Sequence, residues 1–329
     1  MGSHFLVTTA IPEPGLQLLS DAGQVTVLPE PPAYGTLAAL CASGDYDVVL
    51  TQLRDVIDAP LLAGARVKGV SNYAVGHNNI DVGAATRHGI VVGNTPGVLT
   101  DATADIAMLL ILGTARRVVE ADRLVRDGKF LGWEPEFMLG RDVSGAVLGL
   151  AGFGRIARAT ARRALGFGME VVFSPRPPGD RPVSDEELGE FAGRVRQVPW
   201  PELVEGSDFL SLHVPLNDQT RHLVDARVLA RMRPDAILIN TARGPVVDEA
   251  ALVEALRTAV IAGAGLDVFE DEPRLAPGLA ELPNTVLLPH VGSATVRVRS
   301  DMARLSALNA IAIAEGRTPP HAVNQLIPA

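Results

Sequence analysis

The sequence has one cysteine, no long hydrophobic run and no excess of positive charge. Its single cysteine, Cys41, excludes an internal disulfide, and no cluster of cysteine and histidine residues has the spacing of a metal site, so we expect no bound metal. Lysine and arginine number 29 against 38 aspartate and glutamate residues, which gives a net charge of −9. Nucleic acids and anionic membranes favour proteins with a basic surface. The composition therefore predicts neither of them as a partner.

No run of apolar residues is long enough to cross a membrane as a helix. The longest apolar helix candidate, residues 106–115, is shorter than a span and follows Asp101 and Asp105. The N-terminus shows no basic segment followed by an apolar stretch and a small-residue cleavage site, so no signal peptide is predicted. We therefore expect a cytoplasmic protein.

The chain has enough apolar sequence for a packed core. Hydrophobic residues make up 47% and charged residues 20% of its 329 residues, a length that suggests about two domains. Short apolar runs, each a candidate strand, alternate with helix-like segments. One series lies at 5–9, 25–28, 47–51, 67–71 and 90–93, and a second at 146–151, 170–174, 208–213, 236–240, 262–268 and 286–288. The alternation predicts an α/β protein with parallel sheets covered on both faces.

Two longer helical segments frame the second series of strands. A helix is predicted from residue 100 to about 127, where Thr100 or Asp101 can cap its start and Gly128 can end it. A last helix is predicted over 294–315, before Gly316.

Residues 152–157 read GFGRIA directly after a candidate strand, which is the G-x-G-x-x-A form of the dinucleotide-binding fingerprint. Gly152 allows the tight turn and Gly154 lets a pyrophosphate approach the backbone, whereas Ala157 is small enough for helix–strand packing. Free N–H groups at the start of the next helix can hold the phosphates. A glycine-rich turn without a ligand is the alternative, but the strand before and the helix after favour dinucleotide binding.

The second strand of this predicted domain lacks the acid that often ends it. An Asp or Glu there binds the ribose hydroxyls of NAD and would repel a 2′-phosphate. The sequence instead has Ser174, Pro175 and Arg176. The serine can donate a hydrogen bond, and a guanidinium can bind a phosphate through two. The pattern favours NADPH, with NAD possible; the alternative is that Arg176 is an ordinary solvated loop residue.

Three polar residues follow candidate strands in the second half of the chain. They are Arg243 in LINTARGPVVDE, Glu272 in GLDVFEDEP and His290 in VLLPHVGSAT. Ligands of open α/β sheets bind at the carboxyl ends of the strands, so all three would face the crevice that holds the nucleotide. Each alone has an ordinary explanation as a helix cap, a loop acid or a packing histidine. Together, beside a dinucleotide loop, they favour a catalytic site.

This set of side chains suits the reduction of a carbonyl group. Hydride transfer from a nicotinamide leaves an alkoxide that needs a proton, which His290 can supply as general acid. A carboxylate at Glu272 would orient the imidazole and keep it protonated near neutral pH. Arg243 can bind a substrate carboxylate and polarise the carbonyl oxygen. The combination predicts a 2-oxo acid as substrate.

Several longer stretches of the sequence resemble the D-isomer-specific 2-hydroxyacid dehydrogenases, above all their glyoxylate/hydroxypyruvate reductase branch. The stretches are SNYAVGHNNID (71–81), GIVVGNTPGVLTDATAD (89–105), GFGRIA (152–157), NTARG (240–244), AGAGLDVFEDEP (262–273) and LPHVGSAT (288–295). The resemblance covers nearly the whole chain. It implies two Rossmann-like lobes with parallel sheets: a flavodoxin-like substrate lobe at 1–99, an inserted dinucleotide lobe at 100–291 and a helix at 292–329 that returns to the first lobe. It also implies a homodimer held largely through the coenzyme lobes.

The resemblance assigns roles to individual residues. Arg243, Glu272 and His290 would form the catalytic triad, and the substrate would also be bound by Leu53 in TQLRD and by backbone N–H groups of the loop formed by Ala74, Val75 and Gly76. Asp267 would hold the nicotinamide carboxamide, with Thr103 nearby. The full set of implied cofactor contacts is Thr103, Gly152, Phe153, Gly154, Arg155, Ile156, Ser174, Arg176, His213, Val214, Pro215, Thr220, Thr241, Ala242, Asp267 and Gly292. Trp133 and Phe137 match a segment that reaches toward the site of a partner subunit.

The sequence departs from the family at two points, and other functions stay open. Asn78 stands where many members have Asp, and the basic residue after Ser174 is placed differently from that of NADP-preferring members. Phosphite dehydrogenase resembles the chain in GKFLGWEP and AVNQL but has a lysine where Val75 stands. Other 2-oxo acids, including bulkier ones, are further alternatives. A nucleotide-sensing binding protein of this fold would carry a long tail, which we do not expect because the chain ends soon after Gly316.

Overall fold

The computed structural model describes residues 2–325. Within it the chain forms two compact units. One consists of the segment up to Leu99 together with the segment that starts at Ala294, and the other is the continuous stretch Thr100–Ser293. The chain therefore leaves the first unit once, forms the second, and returns.

The first unit contains a parallel sheet of five strands. Its strands are β1 (Ser3–Val7), β2 (Gly23–Val27), β3 (Val48–Thr51), β4 (Gly69–Asn72) and β5 (Val91–Gly93). The helices between them are α1 (Gly15–Ala22), α2 (Tyr34–Ser43), α3 (Ala59–Gly64) and α4 (Val82–Arg87). The strand order β2-β1-β3-β4-β5 is that of flavodoxin-like folds, as the sequence predicts.

The second unit contains a parallel sheet of seven strands. They are β6 (Val147–Ala151), β7 (Glu170–Ser174), β8 (Arg196–Gln197), β9 (Phe209–Leu212), β10 (Ile237–Asn240), β11 (Gly263–Leu266) and β12 (Thr285–Leu287). The helices are α5 (Thr100–Ala115), α6 (Val118–Arg126), α7 (Arg155–Gly166), α8 (Asp185–Leu188), α9 (Trp200–Gly206), α10 (Ala226–Leu229) and α11 (Glu249–Arg257). The order β12-β11-β10-β9-β6-β7-β8 is the doubly wound Rossmann arrangement with one added strand.

The sheet of the second unit is buried on both faces because its central strands are mostly apolar. Successive side chains of a strand point to opposite faces. In β10, Ile237 and Ile239 pack on one side with Phe209, and Leu238 packs on the other with Leu252. Two separate hydrophobic cores result, one on each face of the sheet.

The final helix, α12 (Val296–Ala314), belongs to the first unit. Thr295 caps it by accepting the N–H of Val298. The helix packs against the sheet, where the Ser71 hydroxyl donates to the Ser306 carbonyl over 2.8 Å. In the part of the chain that the structure describes, no helix is long and apolar enough to cross a membrane.

Two details of the secondary structure differ from the sequence prediction. The single helix expected over 100–127 is wrong: α5 ends at Ala115 and α6 begins at Val118, because Arg117 has a left-handed backbone with φ of 52°. The short strand β8, Arg196–Gln197, was not predicted. Both of its residues are polar and it pairs only at the sheet edge, so it carries no hydrophobic signal.

Candidate active site

Three neighbouring strands end at the same level and bring the predicted catalytic residues to one edge of the sheet. Asn240 pairs with Leu266, and Leu266 pairs with Leu287. The loops after these strands carry Arg243, Glu272 and His290. Glu272 and His290 are in direct contact, since Nδ1 of His290 lies 2.9 Å from Oε2 of Glu272.

Specific contacts hold both carboxylate oxygens of Glu272 in place. Oε1 accepts the N–H of Phe269 at 3.0 Å, while Oε2 faces the imidazole. The His290 side chain is about one-third exposed, and its backbone is left-handed with φ of 55°. Because Nδ1 is bound to the carboxylate, Nε2 is the ring nitrogen available to a reacting group.

Charges around the pair favour the ionised form of Glu272. Burial alone would raise the pKa of Glu272, but the hydrogen bond and charge of His290, the N–H of Phe269 and the charge of Arg243 together lower it. For Arg243, burial lowers the guanidinium pKa, and the charge of Glu272 opposes this. The site therefore holds a carboxylate whose ionised form is favoured by two basic side chains, those of His290 and Arg243.

The Asn240 side chain holds the loop that carries Arg243 through two hydrogen bonds to its backbone. The Asn240 amide donates to the Arg243 carbonyl at 2.9 Å and accepts the N–H of Ala242 at 3.0 Å. The next residue, Gly244, lies against the chain that leads to Glu272: an added Cβ would stand 1.8 Å from the backbone of Phe269. Only glycine allows this approach, so the loops of Arg243 and Glu272 are in direct backbone contact.

Asp267 fixes the loop that follows His290. Its two carboxylate oxygens accept the N–H groups of Val291 and Gly292, each at 2.7 Å. Burial raises the pKa of Asp267, although these two N–H groups oppose the rise. The Thr103 hydroxyl donates to the Gly292 carbonyl at 3.2 Å. The structure thus brings together three residues that the resemblance assigns to the cofactor.

The glycine fingerprint forms a turn between β6 and α7. Gly152 has a left-handed backbone (φ 93°), and an added Cβ would lie 2.7 Å from the His213 carbonyl. Its N–H donates to the Ser174 carbonyl at 2.8 Å, which ties the turn to the end of β7. Gly154 is the N-cap of α7 and has open space where its side chain would be. A long helix therefore begins at the strand ends beside open space at Gly154, a geometry suited to phosphate.

The end of β7 differs from the sequence prediction in one respect. The Ser174 side chain is fully buried (0% exposed), on the same face of the sheet as Val172, and its hydroxyl has no hydrogen-bond partner in the described part of the chain. Arg176 is exposed, and no acidic side chain of residues 2–325 forms an ion pair with it. The guanidinium, and not the serine hydroxyl, is thus the polar group at the surface here.

Most of the remaining predicted cofactor residues line the loops after β9 and β10. His213 follows β9, its ring bonds to the Ser211 hydroxyl at 2.9 Å, and burial lowers its pKa to about 4, so the ring is neutral at pH 7. The Thr220 hydroxyl donates to the Pro215 carbonyl at 2.6 Å and closes the loop between them. The Thr241 hydroxyl is buried and has no hydrogen-bond partner among the described residues. Three more of the predicted cofactor residues are apolar. Phe153 stacks on Phe173, Ile156 is half-buried and Val214 is buried.

The first unit contains the predicted substrate loop. The carbonyl of Val75 accepts from the Asn94 amide at 2.8 Å, and that of Gly76 accepts from the Asn72 amide at 2.9 Å. In the described part of the chain the N–H groups of Ala74, Val75 and Gly76 donate no hydrogen bond. The carbonyls are held and the N–H groups are available, as an anion-binding loop requires.

Side chains that the sequence did not single out support these two loops. Asn79 donates to the carbonyls of Gln52 and Asp55 and thereby joins the Leu53 loop to the 72–79 segment. In the second unit, Glu249 binds the backbone on both sides of Glu272. Their partners are backbone groups distant in sequence. In sequence, Glu249 is indistinguishable from an ordinary acidic residue in the first turn of a helix.

Comparison with known proteins identifies the family. The family model described as D-isomer specific 2-hydroxyacid dehydrogenase, NAD binding domain, matches residues 108–292. A protein named glyoxylate reductase from Thermococcus litoralis is 45% identical over 99% of this chain and 98% of its own length.

Solved structures agree over the same extent. The TT0316 protein from Thermus thermophilus superposes with a TM-score of 0.86 at 41% identity, covering 98% of this chain and all (100%) of its own. An NADPH-dependent glyoxylate/hydroxypyruvate reductase from Sinorhizobium meliloti, solved with NADP and malonate, gives a TM-score of 0.85 at 34% identity over 98% and 97% of the two chains. The family predicted from the sequence stretches is confirmed. The chain belongs to the D-isomer-specific 2-hydroxyacid dehydrogenase family and is an NAD(P)-dependent oxidoreductase.

Proposed function

We propose that the protein reduces glyoxylate and hydroxypyruvate to glycolate and D-glycerate. The observation that carries this proposal is the 2.9 Å contact between His290 and Glu272 beside Arg243 at the strand ends of a Rossmann sheet. A histidine paired with a carboxylate can donate a proton, and a guanidinium binds carboxylates. The names of the relatives point to the same small 2-oxo acids.

The chain's own residues would divide the work as follows. When bound, the nicotinamide dinucleotide supplies the hydride for the carbonyl carbon. His290 delivers a proton from Nε2 to the carbonyl oxygen, while Glu272 fixes the ring through Nδ1 and balances its charge. Arg243 binds the substrate carboxylate and stabilises the negative charge that develops on the oxygen. We propose that the N–H groups of Val75 and Gly76 also bind a substrate oxygen, because their carbonyls are held elsewhere.

The second unit has a place for the dinucleotide. The space at Gly154 admits a pyrophosphate, and the N–H groups that open α7 would bind it. The buried Thr241 hydroxyl, which has no partner among the described residues, lies in the loop after β10 and can serve the ribose or the nicotinamide. These features support dinucleotide binding by the second unit.

Replacing Gly154 with alanine is expected to weaken dinucleotide binding with little loss of stability. An added Cβ meets no protein atom within 4 Å, so it would occupy the space reserved for the phosphates. Alanine is a poorer N-cap than glycine by about 1 kcal/mol or less, so Tm should fall by no more than about 4 °C. We expect the Kd for NADPH, measured by fluorescence titration, to rise about 10-fold or more.

The matched control is Gly152→Ala, where the left-handed backbone and the His213 carbonyl oppose a side chain. That variant should lose stability as well as binding. Unchanged NADPH affinity in a folded Gly154→Ala protein would contradict the proposed phosphate site.

We propose that the enzyme prefers NADPH over NADH. Two features support this: no acidic side chain ends β7, and Arg176, which follows it, is exposed and forms no ion pair in the described part of the chain. An available guanidinium is well suited to a 2′-phosphate. The buried Ser174 would contribute by keeping a carboxylate away from this position rather than by direct contact.

Replacing Arg176 with alanine is expected to raise the KM for NADPH about 10-fold and to change the KM for NADH less than about 2-fold. Loss of a charged hydrogen bond to the 2′-phosphate accounts for the difference. Arg181→Ala is the control, since Arg181 lies in the same loop but pairs with Glu187 at 3.0 Å. Equal changes for both cofactors in Arg176→Ala would make Arg176 an ordinary surface residue.

The decisive test of the proposed function is the loss of absorbance at 340 nm when the protein is mixed with NADPH and a small 2-oxo acid. We expect turnover with glyoxylate and hydroxypyruvate and slower turnover with pyruvate. With NAD or NADP and phosphite we expect none, because Val75 replaces the lysine of phosphite dehydrogenases. Absence of turnover with every 2-oxo acid would leave a dinucleotide-binding protein without this activity.

We also propose that the enzyme is a homodimer. The segment from Gly128 to Gly140 exposes several large apolar side chains, among them Leu131 at 97% and Trp133 at 81%. Such a patch is unusual on a monomer and marks an interaction surface. A mass of two chains by light scattering at micromolar protein is expected, and a monomer would refute the proposal.

A further inference from the structure

Glu249, the first residue of α11, is a buried carboxylate whose hydrogen bonds go to the backbone of another loop. The residue is only 3% exposed. Its Oε1 accepts the N–H of Glu270 at 2.6 Å and its Oε2 accepts the N–H of Ala276 at 3.3 Å. Burying a carboxylate costs free energy unless its oxygens are hydrogen-bonded, so the fold depends on these two contacts. They lie on either side of Glu272 and fasten both ends of the loop that carries it.

The Glu270 side chain in turn binds the backbone of Glu249. Its Oε2 accepts the N–H of Glu249 at 3.3 Å, and its Oε1 bonds to the His222 ring at 2.5 Å. The N–H of His222 in turn donates to the Pro245 carbonyl at 2.8 Å. The two glutamates thus bind each other's backbone, and the chain just after Arg243 joins the same network.

The geometry of Glu272 depends on this loop. Within residues 2–325 its carboxylate accepts the backbone N–H of Phe269 and bonds to the His290 ring. The Glu272 side chain is only partly covered, so these two hydrogen bonds fix the direction of its carboxylate. A shift of the 270–276 segment would therefore move the carboxylate away from Nδ1. A displacement of about 1 Å in a catalytic arrangement can cost about 100-fold in rate.

We propose that Glu249 is a positioning residue, whose buried carboxylate holds the 270–276 loop so that Glu272 reaches Nδ1 of His290. The inference rests on the proposed role of the His290–Glu272 pair in proton transfer. A purely structural glutamate would instead affect only the stability of the fold. The two roles differ in what they do to kcat per folded molecule.

The first test compares Glu249→Ala and Glu249→Gln with Glu254→Ala. Glu254 lies on the same helix but is exposed and pairs with Arg257. We expect Glu249→Ala to lower kcat for glyoxylate about 10- to 100-fold, with KM and the Kd for NADPH within about 3-fold. Glutamine keeps one carbonyl acceptor for Glu270 and should recover part of the loss. Glu254→Ala should behave as the wild type.

Activities are to be expressed per NADPH-binding site, so that unfolded protein does not count. If Glu249→Ala yields no folded protein, Glu249→Gln decides: kcat at least about 3-fold below the wild type at unchanged KM supports the inference. Wild-type kcat in folded Glu249→Ala, or in Glu249→Gln where only that variant folds, overturns it.

A double-mutant cycle separates positioning from general damage. If Glu249 acts through Glu272, then Glu249→Ala should cost less than about 3-fold in kcat when Glu272 is already alanine. Full additivity of the two losses would overturn the inference. The proposed function fails separately, and only if the wild-type protein reduces no small 2-oxo acid.

Discussion

Replacing His290 with glutamine is expected to lower kcat for glyoxylate reduction by about 10²- to 10⁴-fold, the range that general acid catalysis supplies. Glutamine has similar size and can still donate a hydrogen bond to Glu272, but it has no proton to give at neutral pH. The loss would appear mainly in kcat, because the proton is needed in the transition state and not for substrate binding.

Two measurements isolate this effect in His290→Gln. The Kd for NADPH should stay within about 2-fold of the wild type, since the phosphate loop lies on other elements of the sheet. His88→Gln serves as the matched control, because His88 is exposed at the end of α4 in the first unit. A His290→Gln enzyme with kcat near that of the wild type would exclude His290 as the proton donor.

The sequence predicts which strands end at the site because a parallel sheet allows few arrangements of its strand ends. Strands such as Ile237–Asn240 are apolar over nearly their whole length, and this one is followed by a helix that serves as the crossover. Polar residues after such strands must emerge at one edge. That constraint placed Arg243, Glu272 and His290 together without any knowledge of their contacts.

The break between α5 and α6 shows where local sequence was insufficient. The residues at the break, Arg116 and Arg117, include neither glycine nor proline, so nothing in the sequence marks it. In the structure the Arg117 side chain pairs with Glu120 and reaches the Leu139 carbonyl. Contacts with a loop more than twenty residues away thus accompany a left-handed residue that intrinsic preference disfavours.

The burial of Ser174 has a similar origin. The sequence predicts that Ser174 ends β7, but the direction of its side chain depends on the pleat of the strand, which places it with Val172 inside the core.

The sequence does not predict the network around Glu249, for another reason. Glu249 binds backbone N–H groups of a loop more than twenty residues away. Such contacts depend on the fold, and no sequence pattern marks them.

Replacing Arg243 with alanine is expected to lower kcat/KM for glyoxylate by about 10³-fold or more. The change removes the charge that binds the substrate carboxylate and a donor to the carbonyl oxygen, and one such donor is worth about 10²- to 10³-fold. Lysine at this position would keep the charge but lose the fork-shaped pair of donors, so Arg243→Lys should recover only part of the loss.

The same variant should shift the pH dependence of catalysis. The charge of Arg243 helps to lower the pKa of Glu272, so its removal raises that pKa. Because the ionised carboxylate is the form that orients His290, activity should then be lost at a higher pH on the acid side of the profile. Arg231→Ala, at an exposed arginine paired with Glu205, should leave the profile unchanged. An Arg243→Ala enzyme with wild-type kcat/KM and an unshifted acid limb would remove Arg243 from both roles.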